Sequence, residues 1–257
     1  MISIDLNSDL GESFGAYTIG NDEEVLKYIS SANIACGFHA GDPNVMMKTV
    51  RLACSLGVGI GAHPGFPDLA GFGRRNMQLS PEEIFNLVVY QVGAIQGAAK
   101  AIDAKVRHVK PHGALYNMAS VNRDIAGAVA RAVRAVDPQL VLFGLAGSEL
   151  IQAGEEMGLK VAREVFADRT YQPDGTLTPR SQQNAFIHDA DEAVLRVLKM
   201  VKEGKVTAVN GQDIFIQADT ICVHGDEEKA LEFVKKLRSA LLAEKIEIRS
   251  FGVGSHD

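Results

Sequence analysis

Ile2-Ser-Ile-Asp5-Leu-Asn7-Ser-Asp9-Leu-Gly11-Glu12 opens the chain, and its alternation decides how the rest is read. Successive side chains of a strand point to opposite faces. Ile4 and Leu6 therefore take one side, and Ser3, Asp5, Asn7 and Asp9 the other. The polar side grows richer toward the strand end, where a glycine turn delivers Glu12. Five more clusters repeat the arrangement: Asn33-Ile-Ala-Cys-Gly-Phe-His39-Ala-Gly-Asp42, Gly61-Ala-His63-Pro-Gly65, Lys110-Pro-His112-Gly113, Glu164-Val-Phe-Ala-Asp168-Arg169 and His224-Gly-Asp226. Each comes at the end of a short strand-like run, and four of the seven histidines lie in them. Such a chain gathers His, Asp, Lys and Gly at one rim of a parallel sheet or barrel, the rim where the chemistry of these folds takes place.

Outward from these clusters, strands are expected at 2–6, 32–35, 58–62, 106–110, 141–145, 160–164, 220–223 and 246–248. Helical periodicity fills 21–30, 43–56, 81–102, 123–136, 148–157, 191–203 and 227–243. The clearest helix has Ser80 as N-cap, Pro81 at its first position and Glu82 and Glu83 in its first turn. Its Gly93 and Gly97 share a face, which predicts close packing against a neighbour to offset their low propensity. Residues 206–216 read as strand, Asn210-Gly211 turn and strand, a small hairpin. Residues 168–184 lack periodicity and predict a long loop near the rim. Strand–helix repetition calls for parallel strands with helical crossovers. The expected fold is α/β: a TIM-like (β/α) barrel of seven or eight parallel strands, one domain over residues 1–257, with a small added hairpin. The alternative is an open sheet with one wet face. The barrel is preferred because helices normally cover both faces of an open parallel sheet.

Composition narrows the function. A net charge of −6 with no basic block, and the absence of Trp, argue against a nucleic-acid partner. No apolar run approaches the ~20 residues that span a bilayer, so no membrane partner is expected. The chain starts in a strand-like run rather than a signal peptide, and the expected location is cytoplasmic. Cys36, Cys54 and Cys222 stand far apart in apolar runs and read as reduced packing residues.

Asp5, Asn7 and Asp9 offer oxygen ligands or bases on one side of the first strand. The alternative is that Asp5 and Asn7 brace the barrel, satisfied by lysine and backbone donors. Glu12 is a catalytic candidate or a helix cap. Asp42 before Pro43 suits an N-cap, which leaves His39 unexplained. His63 and His112, like His39, stand at strand ends flanked by Gly or Pro, a setting that suits function better than a core. Asp9, His39 and His63 are the metal-ligand candidates, although none has the His-x-x-x-His spacing of a helical zinc site. Arg74 and Arg75 are placed to grip an anion, with Arg75 the more ordinary surface residue. The sequence contains no Gly-x-x-x-x-Gly-Lys-Ser/Thr loop and no Gly-x-Ser-x-Gly elbow, and Gly57-Val-Gly59-Ile-Gly61 lacks the dinucleotide fingerprint.

Taken together, Asp5-Leu-Asn-Ser-Asp-Leu-Gly-Glu-Ser-Phe-Gly15, the His39, His63 and His112 clusters, Gly71-Phe-Gly-Arg-Arg75, Glu164-Val-Phe-Ala-Asp-Arg169 and His224-Gly-Asp226 closely resemble the LamB/YcsF family. One departure is Ser8, where relatives commonly carry Cys. The resemblance implies a barrel related to the glycoside hydrolase/deacetylase superfamily. It implies the A subunit of an ATP-hydrolysing 5-oxoprolinase, which turns 5-oxoproline into glutamate with subunits B and C. ATP, with Mg, would be the co-substrate of that complex, and a divalent metal is a further candidate. On this reading Asp9, Glu12, His39, His63, Lys110 and His112 are catalytic, and Asn7, Arg74, Glu164, Asp168, Arg169 and His224 bind substrate. The rivals are a stand-alone metal-dependent deacetylase or other C–N hydrolase, and a non-catalytic lactam-binding subunit.

Overall fold

The structure is a computed structural model that describes residues 2–223 and 230–252. The His224-Gly225-Asp226 cluster therefore lies outside the described residues. Strands β1 (Ser3–Leu10), β2 (Ser31–Ala35), β3 (Gly59–His63), β4 (Val106–Val109), β5 (Val141–Leu145) and β6 (Lys160–Phe166) are followed by the hairpin β7 (Lys205–Thr207) and β8 (Asp213–Phe215), then β9 (Thr220–Cys222) and β10 (Glu247–Ile248). The helices are α1 (Asp22–Val25), α2 (Pro43–Ser55), α3 (Pro81–Lys100), α4 (Gly113–Val121), α5 (Arg123–Val136), α6 (Glu149–Glu156), α7 (Ala190–Glu203) and α8 (Ala230–Ala243).

β1 to β6 and β9 pair in that order, all parallel, and β9 returns to β1, closing a barrel of seven strands. β10 adds a parallel pairing to the first residues of β1, with Ser3 opposite Glu247. The expected barrel and hairpin are both present. Among the described residues, no helix is long and apolar enough to cross a membrane.

Local differences have local causes. β1 runs on through Asp9 because Asn7, Ser8 and Asp9 pair with Ser31, Ala32 and Asn33 of β2. Polar residues do not end a strand whose inner face is polar. The helix expected at 21–30 stops at Val25, since the Ser30 amide leaves for the Leu6 carbonyl of the barrel. Gly93 and Gly97 do not pack closely: both are exposed, and a Cβ at either would meet nothing within 4 Å. α4 begins where the sequence reading saw only a polar cluster. The caps form as expected. Ser80 and Glu83 make a capping box, and Asp42 accepts from the amides of Asn44 and Val45; such caps contribute ~1 kcal/mol each.

Two interiors result. Between barrel and helices, Ile4, Leu6, Leu10, Ile34, Ile60 and Val109 belong to one continuous apolar cluster. Ser8 shares their side of β1 by alternation, turned away from the lumen. Inside the barrel, Val141, Phe143 and Ala162 form a small apolar cluster with Phe251, and the Phe166 ring lies beside Lys110. The remaining lumen is polar: Asp5, Asn7, Ser31, Asn33, Glu164 and Thr220 are each at most 1 % exposed. Such groups must find partners. Asp5 finds three hydroxyls, from Ser30 and Ser31 at 2.7 Å and Thr220 at 2.6 Å, in place of the lysine and backbone donors expected for it.

Burial outweighs those hydroxyls and pushes the Asp5 carboxyl up to about 6 from its ordinary 3.8. Below the ordinary value Asp5 is protonated whether folded or not. Between the two values the unfolded chain ionises first, so folding stability falls as pH rises, and above about 6 the loss is complete. Asp5→Asn removes this term. Urea unfolding from pH 4 to 7 should show the stability difference moving in the variant's favour by roughly 3 kcal/mol. A pH-independent difference overturns the assignment.

Candidate active site

The site grows from Lys110, which follows β4 and is buried inside the barrel mouth. Its ammonium lies 3.0 Å from Asp9 Oδ1, 2.8 Å from Glu164 Oε1, 3.2 Å from Asn7 Oδ1 and 3.1 Å from Cys222 Sγ. Burial alone would pull the ammonium toward neutrality, but the carboxylates of Asp9 and Glu164 hold it well above the ordinary lysine range. Burial pushes the Cys222 thiol well up, so the sulfur meets Lys110 as a thiol. Tyr116, on α4, donates its hydroxyl to Glu164 Oε2 at 2.7 Å, and burial keeps that phenol protonated.

Beside this charge lie three imidazoles. His63 Nδ1 is 2.7 Å from the Lys110 carbonyl, and His112 Nε2 is 2.8 Å from the Phe72 carbonyl. Carbonyl oxygens only accept, so these two nitrogens carry the protons. The remaining nitrogens, His63 Nε2 and His112 Nδ1, then face each other as lone pairs 2.9 Å apart. Burial and the nearby His63 hold His112 well below the ordinary histidine value, which keeps that ring neutral. His39 stacks on His112 with ring centroids 3.7 Å apart and is likewise held neutral, chiefly by burial. Among the described residues, neither of its buried ring nitrogens has a hydrogen-bond partner. Glu12 Oε1 stands 3.6 Å from His39 Nε2 and 3.7 Å from His112 Nδ1, while Asp9 Oδ2 is 3.3 Å from His63 Nε2.

One ligand atom from each of Glu12, His39, His63 and His112 falls within 4.8 Å of the others. Converging lone pairs require a cation, either a shared proton or a metal ion. Imidazoles whose far nitrogens are anchored on carbonyls are the usual dress of a divalent metal site. The expected candidates were Asp9, His39 and His63. The cluster keeps both histidines, adds Glu12 and His112, and leaves Asp9 beside it.

The turn after β3 closes over these rings. Phe72, at a left-handed φ of 53°, points its carbonyl at His112. Gly73 must be glycine: its φ is +61°, and a Cβ there would lie 2.6 Å from His39 Cβ and 2.9 Å from His112 Cδ2. The arginine pair does not act as one fork. Arg75 is ion-paired with Asp68, which caps the turn, whereas Arg74 lies over the Phe72 ring at 4.9 Å.

A cavity of about 740 Å³ opens above. Asp9, Glu12, His63, Lys110 and His112 line it, as do Arg74 and Arg169. His39 sits against His112, and Asn7 and Glu164 lie at Lys110, outside the cavity wall. Arg169 donates to the carbonyls of Thr178 and Ala185 at 2.6 and 3.2 Å, so it ties down the loop that forms one wall. The carbonyl of half-buried Asp168 accepts from Ile187 in the same loop at 2.8 Å. Asn33, which opens a quoted cluster, and Tyr116, three residues past the end of another, carry no role in the sequence analysis. Tyr116 stands four residues after His112, a spacing that brings it to the site only once α4 is recognised.

The LamB/YcsF family model matches residues 4–255. The A subunit of 5-oxoprolinase from Bacillus licheniformis is 62% identical over 251 residues, covering 98% of this chain and 99% of that protein. Its counterpart from Bacillus subtilis is 62% identical over 248 residues, 96% of each. The crystal structure of a lactam utilization protein from Thermus thermophilus superposes with a TM-score of 0.93 at 47% identity, covering 97% of this chain and 100% of that one.

The Lys110 cluster sets a stability test. Lys110→Met leaves Asp9 and Glu164 without the ammonium between them, and breaking a buried pair from one side costs ~3–5 kcal/mol. Urea unfolding should show a loss of that order, partly recovered in Lys110→Met/Glu164→Gln. A Lys110→Met variant as stable as the wild type overturns this account.

Proposed function

The chain belongs to the LamB/YcsF family, and from that premise we propose that it is the A subunit of a cytoplasmic 5-oxoprolinase. In this reading it takes 5-oxoproline into the rim cavity and yields glutamate, with ATP hydrolysis supplied together with subunits B and C. The sequence carries no phosphate-cradling loop, which agrees with ATP being handled in the partners. What carries the proposal is the meeting, at one cavity, of a carboxylate, lone-pair imidazoles and a permanently charged lysine.

A lactam is a resonance-stabilised amide and a poor electrophile. Its opening needs a base for water, positive charge where the carbonyl oxygen turns anionic, and a grip on the substrate carboxylate. Glu12 suits the base better than Asp9. Asp9 Oδ1 already accepts from Lys110 at 3.0 Å and Asn33 at 2.8 Å, whereas Glu12 stands at the histidine cluster and lines the cavity. Lys110 offers the positive charge, and Arg74 suits the carboxylate. His39, His63 and His112 would hold a divalent ion, with Glu12 at its edge. Such an ion supplies Lewis acidity toward a carbonyl or phosphoryl oxygen.

Glutamate release from 5-oxoproline, assayed with this chain alone and with each partner, tests the proposal. ATP-dependent release is expected only with the partners present, and Glu12→Gln should lower kcat by about 10²- to 10⁴-fold. ATP-independent hydrolysis by the chain alone would make it a stand-alone C–N hydrolase. Complexes with Glu12→Gln that turn over normally would make it a lactam-binding component without a catalytic base. The metal site has its own readout. Zinc titrated calorimetrically should bind the wild type and fail to bind His63→Ala/His112→Ala; equal binding places the ion elsewhere.

A further inference from the structure

Beneath the cavity lies a histidine that this mechanism does not use. His108 is buried, forms no part of the cavity wall, and stays neutral because burial pushes its imidazole down to about 3. The barrel bends its own rules to seat it. Where β3 pairs with β4, Ile60 stands opposite Val106 but Gly61 stands opposite His108, so Arg107 is an extra residue. Val106 packs with the helix-side core, whereas His108 turns into the lumen. Two residues apart in a regular strand, they would share a face. Bulges are rare in parallel pairs, and they serve to re-aim a side chain. Gly61 makes the room, since a Cβ there would lie 2.0 Å from His108 Nε2. Phe143 stacks on the ring, centroids 4.2 Å apart and planes 15° from parallel.

Among the described residues, one hydrogen bond is made by the seated ring. His108 Nε2 is 2.7 Å from Asn33 Oδ1, and Asn33 Nδ2 is 2.8 Å from Asp9 Oδ1 and 2.7 Å from Asn7 Oδ1. Chemistry sets the direction. An ionised carboxylate accepts only, so Asn33 turns its NH₂ toward Asp9 and its carbonyl toward His108. His108 must therefore present Nε2–H. Asp9 and Asn7 hold the NH₂ side of the amide, and among the described residues His108 supplies the donor on its carbonyl side. Without that donor the Asn33 oxygen is buried unpaired and the amide is held from one side only.

We propose that His108 is a positioning residue: by holding Asn33 it fixes the Asp9 carboxylate, and with it the Lys110 ammonium that this carboxylate answers. The catalytic consequence rests on the function proposed above.

His108→Phe keeps a ring against Phe143 and removes the donor; His108→Gln keeps a donor. In the assembled complex His108→Phe should lower kcat by about 10- to 100-fold, the usual range for outer-shell partners. KM should stay within about threefold, since ground-state binding is untouched. His108→Gln should recover most of the rate. Asn33→Ala/His108→Phe should be no slower than Asn33→Ala alone, because one residue acts through the other. Nitrogen-15 spectra of the wild-type chain give a readout that needs neither turnover nor a variant: His108 should be the Nε2–H tautomer. In folded His108→Phe the Asn33 side-chain amide and Asp9 carboxyl resonances should move, and His108→Gln should return them. An Nδ1–H tautomer, unmoved resonances in folded His108→Phe, or multiplying rate losses in the double variant overturn the proposal. A wild-type complex that releases no glutamate would instead overturn the functional reading, and the tautomer and resonances would still decide the positioning role.

Discussion

One buried ammonium organises this protein. Lys110 sits inside a closed barrel, where a lone charge is costly, and Asp9 and Glu164 both answer it. Those two carboxylates need further donors of their own. Asn7 and Tyr116 serve Glu164, and Asn33 serves Asp9. The requirement spreads down the lumen until the barrel interior is largely polar. Apolar burial must then come from elsewhere, and it comes from the shell between strands and helices. Apart from the small apolar cluster on β5 and β6, the inward strand faces are thereby released from the work of holding the fold together and can carry polar groups.

The same accounting sets proton positions. Every direction in the network follows from groups with no choice: ammonium donates, carboxylate and carbonyl accept. The Lys110 carbonyl fixes His63, and the Phe72 carbonyl fixes His112. The backbone thus leaves two lone pairs face to face, an arrangement no pair of neutral histidines would choose alone. A left-handed Phe72 and a glycine at 73 are the conformational cost of presenting one of those carbonyls.

Much of this was legible in the alternation of single strands. Asp5, Asn7 and Asp9 share a face in sequence and in space, and His39, His63 and His112 come together because parallel strands end at one rim. What could not be read has a common cause. Alternation puts His108 on the lumen side with Lys110 and His112, where it lies. But side-chain period assumes a regular strand, so the bulge at Arg107 that sends Val106 to the other side left no signal in one sequence. The open exposure of Gly93 and Gly97 depends on what lies across from α3, which periodicity does not encode. Tyr116 was hidden because a Gly-Pro-rich cluster reads as loop, although α4 starts within it at Gly113. Asp5 invited a charged partner, and three hydroxyls of adjacent strands were enough.

Floor and wall of the cavity are built on different principles. The floor stands on barrel strands and their immediate ends, where ladder hydrogen bonds and the polar lumen leave little freedom. The wall after β6 is a loop gathered around Arg169, whose guanidinium donates to two of the loop's own carbonyls. Burial and the neighbouring Arg180 pull Arg169 down to about 10, still cationic at neutral pH. An arginine expected to grip substrate thus holds the loop, with Arg180 beside it over the face of Phe186 at 5.1 Å. Arg74 and Arg180 line the same cavity, each laid on an aromatic ring and each on a loop. On the function proposed above, the chemistry rests on the barrel and the fit of the substrate on the loops that wall the cavity.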